Sequence, residues 1–169
     1  MNNRHIMEDL NKQWEGYSNA SEVWIFQSSL QIEDDKKANI VSDSRIFASQ
    51  WSSHGAALQA TASLFYNRFL IFIVNGNEGP SGCSKDSLTH FVQSLGNRHE
   101  IDFFNRMQVL YRNSHEKLIE MHLNDMKAMY ERNVITDNTT VYNNLVKNKY
   151  DLLNNWEVPV KDSWHNQFI

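Results

Sequence analysis

An α+β fold built on a ferredoxin-like split β-α-β-β-α-β core is what this sequence predicts, and three observations predict it. Phe69-Leu70-Ile71-Phe72-Ile73-Val74 is an unbroken apolar run, the pattern of a strand buried on both faces. Leu58, Ala60, Ala62 and Leu64 alternate with Gln59, Thr61 and Ser63, the period of two of a half-buried strand at a sheet edge. Apolar residues at helical spacing flank these strands: Ile40, Phe47 and Trp51 before them, Leu88, Phe91, Val92 and Leu95 after.

The elements follow in order. Residues 1–20 are polar and Asn-rich, either a short helix around 6–14 or a loose arm. The core spans 21–113. It begins with the strand Val23-Trp24-Ile25-Phe26, apolar on both faces. Asp34 and Asp35 favour a helix start, and that helix runs to His54-Gly55, where glycine suits the left-handed position after the last turn. Asn67 and Arg68 turn a hairpin between the two central strands, with Tyr66 in the turn or already in the second strand. A helix over 84–95 ends at Gly96, and 101–112 forms a fourth strand with Phe103, Met107, Val109 and Tyr111 on one face. Residues 114–169 supply two C-terminal helices and an aromatic tail packed on the core, in a single domain. The first helix runs from Ser114 through Met129, with Leu118, Met121 and Met126 apolar. The second runs from Thr139 or Thr140 through Leu153. An open four-stranded sheet with apolar side chains on both sides would leave one side wet. The C-terminal helices, or a partner subunit in a homodimer, are therefore expected to cover the second face. That cover, together with the merely superficial match of Tyr66-Asn67-Arg68-Phe69 to an RNA-recognition signature, argues against an RNA-recognition module.

The chain has 169 residues, 41% hydrophobic and 21% charged, enough apolar material for a globular domain with a real core. The net charge of -4 argues against a generic nucleic-acid binder. One cysteine, Cys83, cannot form an internal disulfide. No positively charged leader pattern opens the chain, and no apolar run approaches the roughly 20 residues of a membrane span. The expectation is a cytoplasmic protein without membrane insertion. No internal repeat is visible.

The stretch Gly79-Pro80-Ser81-Gly82-Cys83-Ser84-Lys85-Asp86-Ser87 joins a buried strand to a helix. Such a turn gathers unpaired backbone N–H groups at the positive end of a helix dipole. Ser81, Gly82, Ser84 and Ser87 are candidate ligands for a small anion, with Arg68 and Arg106 as candidate charge partners. The same serines suit helix capping, Ser84 above all. Cys83 is a candidate nucleophile because a helix N-terminus favours thiolate. His54 or His165 would be its base. Small buried packing is the alternative for Cys83, and His54 equally suits a helix C-terminus. Trp156, Trp164 and Phe168 form either a partner interface or a tail folded over its own core. His115 and His122 lie seven apart, but no further ligands complete a metal set, so no metal and no cofactor are expected.

Further motifs are Gln50-Trp51-x-x-His54-Gly55, Tyr66-Asn67-Arg68-Phe69, Ser81-Gly82-Cys83-Ser84-x-Asp86-Ser87, Phe104-x-Arg106-Met107, Asn143-Asn144-Leu145-Val146, and Trp156-Glu157-Val158-Pro159 with Ser163-Trp164-His165. In combination they resemble a family of uncharacterised Bacteroidota proteins often labelled "ABC transporter ATPase". The resemblance covers nearly everything after Val23 and implies no established activity. The label conflicts with the residues. A P-loop needs G-x-x-x-x-G-K-[ST], whereas here Ser84 replaces the second glycine and Asp86 the magnesium-binding hydroxyl. In the family pattern the position of Lys85 is typically apolar, which removes it as a phosphate lysine.

The function expected from these residues is a non-catalytic binding or assembly protein. It would recognise a protein partner or a small anionic ligand near the 79–87 turn. Two alternatives stand beside it. One is a thiol-nucleophile hydrolase or acyl transferase using Cys83. The other is a subunit of a larger machine docking through its aromatic tail.

Overall fold

The computed structural model describes residues 10–75 and 79–169. Helices and strands both contribute, as an α+β reading requires. The chain forms two compact units: one runs up to Phe104 and takes in Lys147–Leu153, the other comprises Asn105–Val146 and Asn154–Ile169.

Unit one contains strands β1 (Glu22–Gln27), β2 (Ser52–Ser53), β3 (Ala56–Ala57), β4 (Gln59–Phe65) and β5 (Phe69–Asn75), with helices α1 (Asp34–Gln50) and α2 (Gly82–His99). The main sheet is antiparallel in the order β1-β5-β4. Its register puts Trp24 opposite Phe72 and Phe72 opposite Ala62. Even-numbered side chains Leu70, Phe72, Val74 and Ala62 therefore share one face, and they pack with Ile40, Ala48, Leu88, Val92 and Leu95 of the two helices. Edge-to-face and stacked ring pairs fill this layer, with Phe47 stacked on Phe91 at 4.4 Å.

The opposite face is just as apolar, since Phe69, Ile71 and Ile73 are fully buried. The segment after residue 9 reaches that face: Trp14 meets Phe65 edge to face at 5.8 Å, and Ser63 Oγ donates to Gln13 Oε1. Leu10 and Trp14 are fully buried, so this part of the arm is a structural layer and not loose chain. The cover expected from C-terminal helices is supplied here, in part, by the arm. Residues 1–9 lie outside the described residues.

The expected four-stranded sheet is not formed in the expected way. The strand placed at 101–112 is confined to β6 (Gln108–Arg112) and belongs to the other sheet. Before it, Asp102 Oδ1 accepts from the Phe104 N–H and Asn105 Oδ1 from the Met107 N–H, and such local bonds replace a strand ladder. The free side of β1 is met by a distant segment instead. Glu22 bridges Asn148, the Val23 N–H donates to the Lys147 carbonyl, and the Lys149 N–H donates to the Ser21 carbonyl.

Element boundaries also shift. α1 ends at Gln50, and His54-Gly55 forms the β2–β3 hairpin turn with φ of 51° and 81°. Two consecutive positive φ values are what a two-residue type I′ hairpin needs. Tyr66 and Asn67 (φ 53° and 56°) also take positive φ in the β4–β5 turn, where three residues, Tyr66 to Arg68, separate the paired Phe65 and Phe69 and the Arg68 N–H donates to the Phe65 carbonyl. α2 continues through Gly96 to His99, and its left-handed stop is Glu100. Gly96 serves close approach: a Cβ there would collide with the Ile101 carbonyl oxygen.

Unit two is a four-stranded sheet in the order β7-β6-β8-β9, with β7 (Leu118–His122), β8 (Thr140–Tyr142) and β9 (Glu157–Pro159). The helix expected over 114–129 is β7 followed by the short α3 (Met126–Glu131). Ile119 and Met121 pair with Tyr111 and Val109, an alternation with a period of two. Asn113 Oδ1 accepts from the His115 and Lys117 N–H groups and closes a hairpin. The helix expected over 139–153 is β8 plus α4 (Lys149–Asn155). Val109, Tyr111, Met121, Val141 and Val160 form this unit's core, with Trp164 and Phe168 packed against it.

Candidate functional site

The first turn of α2 is built by its hydroxyls. Ser81 is the N-cap, extended in backbone, and its Oγ accepts from the Ser84 N–H at 3.3 Å. Capping thus falls to Ser81 rather than Ser84. Ser81 Oγ and Ser84 Oγ are 2.8 Å apart. The Ser81 N–H donates to Ser53 Oγ at 3.0 Å, and Ser84 Oγ donates to the Ser52 carbonyl at 2.8 Å. Trp51 Nε1 and Ser87 Oγ both donate to the Ser84 carbonyl, at 2.9 and 2.7 Å. The serines are therefore bonded within the protein, and the turn is lashed to β2. The unspecified pair in Gln50-Trp51-x-x-His54-Gly55 is Ser52-Ser53, the anchor that sequence reasoning passed over.

What remains on the surface is Gly82, Cys83, Lys85, Asp86 and Ser87, all exposed. Cys83 is a free thiol in the first turn of an 18-residue helix, not a buried packing residue. Lys85 Nζ lies 3.5 Å from Glu22 Oε2 and 5.9 Å from the Trp24 ring centroid. The Glu22 carboxylate also fills the space where a Gly79 side chain would go. A carboxylate in that place opposes a second anion. Neither Glu22 nor its pairing with Lys85 was legible from local sequence, because the pair joins β1 to α2.

His54 sits exposed at the tip of the β2–β3 hairpin. Because Ser52 and Ser53 bond to Ser81 and Ser84, the structure brings the hairpin of His54 to the turn of Cys83. Arg68 is not free for a ligand: it is buried, and its guanidinium donates to the Ser28 and Ser29 carbonyls at 3.2 and 3.4 Å. Arg106 is exposed in the turn before β6 and belongs to unit two.

His165 also belongs to unit two and is only 2% exposed. Its Nδ1 is 2.7 Å from Ser163 Oγ, and its ring stacks on Trp164 at 3.9 Å. Burial lowers its pKa to about 4, so the imidazole is neutral at neutral pH. Trp156 is fully buried and donates from Nε1 to Asn144 Oδ1 at 3.0 Å. Trp164 and Phe168 are half-buried, edge to face at 5.8 Å. These contacts hold the tail on its own unit, and Trp156 presents no surface to a partner. Among the described residues no three His, Cys, Asp or Glu side chains are grouped to hold a metal ion, and no helix is long and apolar enough to cross a membrane.

A scan against protein-family models, a search of curated proteins and a search of solved structures each find no match to this chain.

Proposed function

We propose that this protein is a non-catalytic binding or assembly protein whose contact surface is the exposed first turn of α2, and that its occupant is a protein partner. One observation carries the reading. The hydroxyls that would grip a small ligand are bonded to the protein itself, while Gly82, Cys83, Lys85 and Asp86 stand exposed on a rigidly anchored turn. Glu22 beside Gly79 disfavours the small-anion version of the same site. The resemblance to the Bacteroidota family is compatible with this reading, since that family brings no established activity. The order β1-β5-β4, with the 147–149 segment beside β1, supports reading unit one as a rearranged ferredoxin-like sheet.

The thiol-enzyme reading is favoured by one feature, the exposed Cys83 beside the hairpin of His54. The single cysteine separates the two. A photo-crosslinking maleimide placed on Cys83 is expected to trap one discrete species in cells, and Lys85→Glu is expected to abolish it. A stoichiometric p-nitrophenol burst from p-nitrophenyl acetate, lost in Cys83→Ser, with no such cross-link, would overturn the binding reading in favour of the enzyme.

A further inference from the structure

We propose that the cleft at the C-terminal end of α2 is a receptor for a guanidinium group, a site distinct from the helix's first turn. The cleft measures about 570 Å³ and lies wholly within unit one. Its walls carry Gln93, Asn97, Glu100 and Asp102, and its apolar floor includes Phe103 and Phe104. No lysine, arginine or histidine is among its lining residues, so two carboxylates face the space without a cation in its wall. Glu100, Gln93 and Asn97 make no side-chain bond among the described residues. Asp102 uses one oxygen, Oδ1, to accept from the Phe104 N–H at 2.7 Å, which fixes the carboxylate and leaves Oδ2 available.

Four features converge on one ligand chemistry. Carboxylate and amide oxygens offer acceptors to a group rich in N–H donors. The cleft stands at the C-terminal end of α2, where the helix dipole favours a cation and the Lys36 ammonium already donates to the His99 carbonyl at 3.3 Å. The half-buried Phe104 provides aromatic surface, and a planar guanidinium lies on such surface better than a hydrated ammonium. A fork of donors also spans two acceptors in a way that a point charge does not. At Gly96 the missing side chain lets the Ile101 carbonyl close against the helix, which sets the inner wall of the cleft.

The guanidinium has two sources, a small molecule or an arginine on a peptide. Agmatine stands for the first and N-acetyl-arginine-N-methylamide for the second, with cadaverine as an ammonium control. Titrations followed by amide chemical shifts are expected to saturate at 93–104 for at least one guanidinium probe, with cadaverine several-fold weaker. Glu100→Gln and Asp102→Asn are each expected to weaken binding roughly fivefold, the scale of a partly exposed ion pair. Glu131→Gln, an exposed acid of unit two, is expected to leave it unchanged. Tighter binding of the peptide mimic than of agmatine assigns the site to an arginine-bearing partner, and the reverse assigns it to a small molecule. No saturable shift up to millimolar probe, or equal weakening by Glu131→Gln, overturns the proposal. Loss of the Cys83 cross-link would leave these results untouched, so the two readings fail separately.

Discussion

At the scale of single residues, the structure uses small and titratable side chains in ways that local sequence does not announce. Gly96 reads as a helix stop, yet the helix continues and the glycine makes room for the Ile101 carbonyl. Alanine normally gains up to about 1 kcal/mol over glycine inside a helix. At Gly96 the added methyl meets backbone that cannot swing aside. Gly96→Ala is therefore expected to destabilise by roughly 2 kcal/mol, read as a lower urea midpoint. His165 makes a second prediction. Its pKa of about 4 in the folded chain lies below the usual value near 6.5, so between those values the unfolded state binds the extra proton. Stability is complete above about pH 6.5 and falls as pH drops toward 4, by up to about 1.4 kcal/mol per pH unit. Urea midpoints measured from pH 7 down to 4.5 are expected to fall more steeply for the wild type than for His165→Gln. Equal slopes would show that His165 titrates as an exposed histidine.

At the scale of elements, strong local patterns were legible and ambiguous ones were not. The run 69–74, the alternation after Leu58 and the spacing of Leu88, Val92 and Leu95 all became the elements they suggested. Leu118, Met121 and Met126 fit helical spacing, but Ile119 and Met121 also fit a period of two, and pairing with β6 decided between them. Long-range pairing of that kind leaves no local mark. Of the candidate site, the turn and its cysteine were legible, but the allocation of its serines was not. Their partners Ser53 and Ser52 lie 28 and 32 residues earlier in the chain. The cap follows from this network. Ser81→Ala removes the acceptor of the Ser84 N–H, a loss of about 1 kcal/mol for an N-cap. Ser87→Ala removes only a donor to a carbonyl that Trp51 also satisfies. The first substitution is expected to lower the denaturation midpoint clearly and the second to leave it nearly unchanged. Equal effects would mean that Ser81 does not cap α2.

At the scale of the whole molecule, neither unit is one continuous stretch of chain, because unit one reclaims Lys147–Leu153 after the chain has entered unit two. Composition and periodicity do not reveal such a crossing, which is why the arm and the 147–153 segment read as unrelated. The structure joins them through Lys149. Its ammonium is buried and donates to the Trp14 and Tyr17 carbonyls at 2.7 and 2.9 Å, while its backbone and that of Tyr150 bond to Ser21 and Asn19. Two effects compete when the charge is removed. Burying an ammonium is costly, so its loss recovers desolvation energy. The Tyr17 carbonyl is left without a donor, at about 1–3 kcal/mol for a buried group, while the Trp14 carbonyl loses the ammonium but keeps the Tyr17 N–H at 3.0 Å. The Lys149 ammonium is held by good geometry at two acceptors, so the loss of both charged bonds, with the Tyr17 carbonyl orphaned, outweighs the recovered desolvation. Lys149→Met, close in length and without donors, is expected to cost roughly 2 kcal/mol. It is also expected to raise hydrogen exchange specifically in peptides covering 10–21, with α2 protected as before. Uniform loss of protection would instead make Lys149 an ordinary core residue, and an unchanged arm would show that Leu10 and Trp14 hold that layer by burial alone.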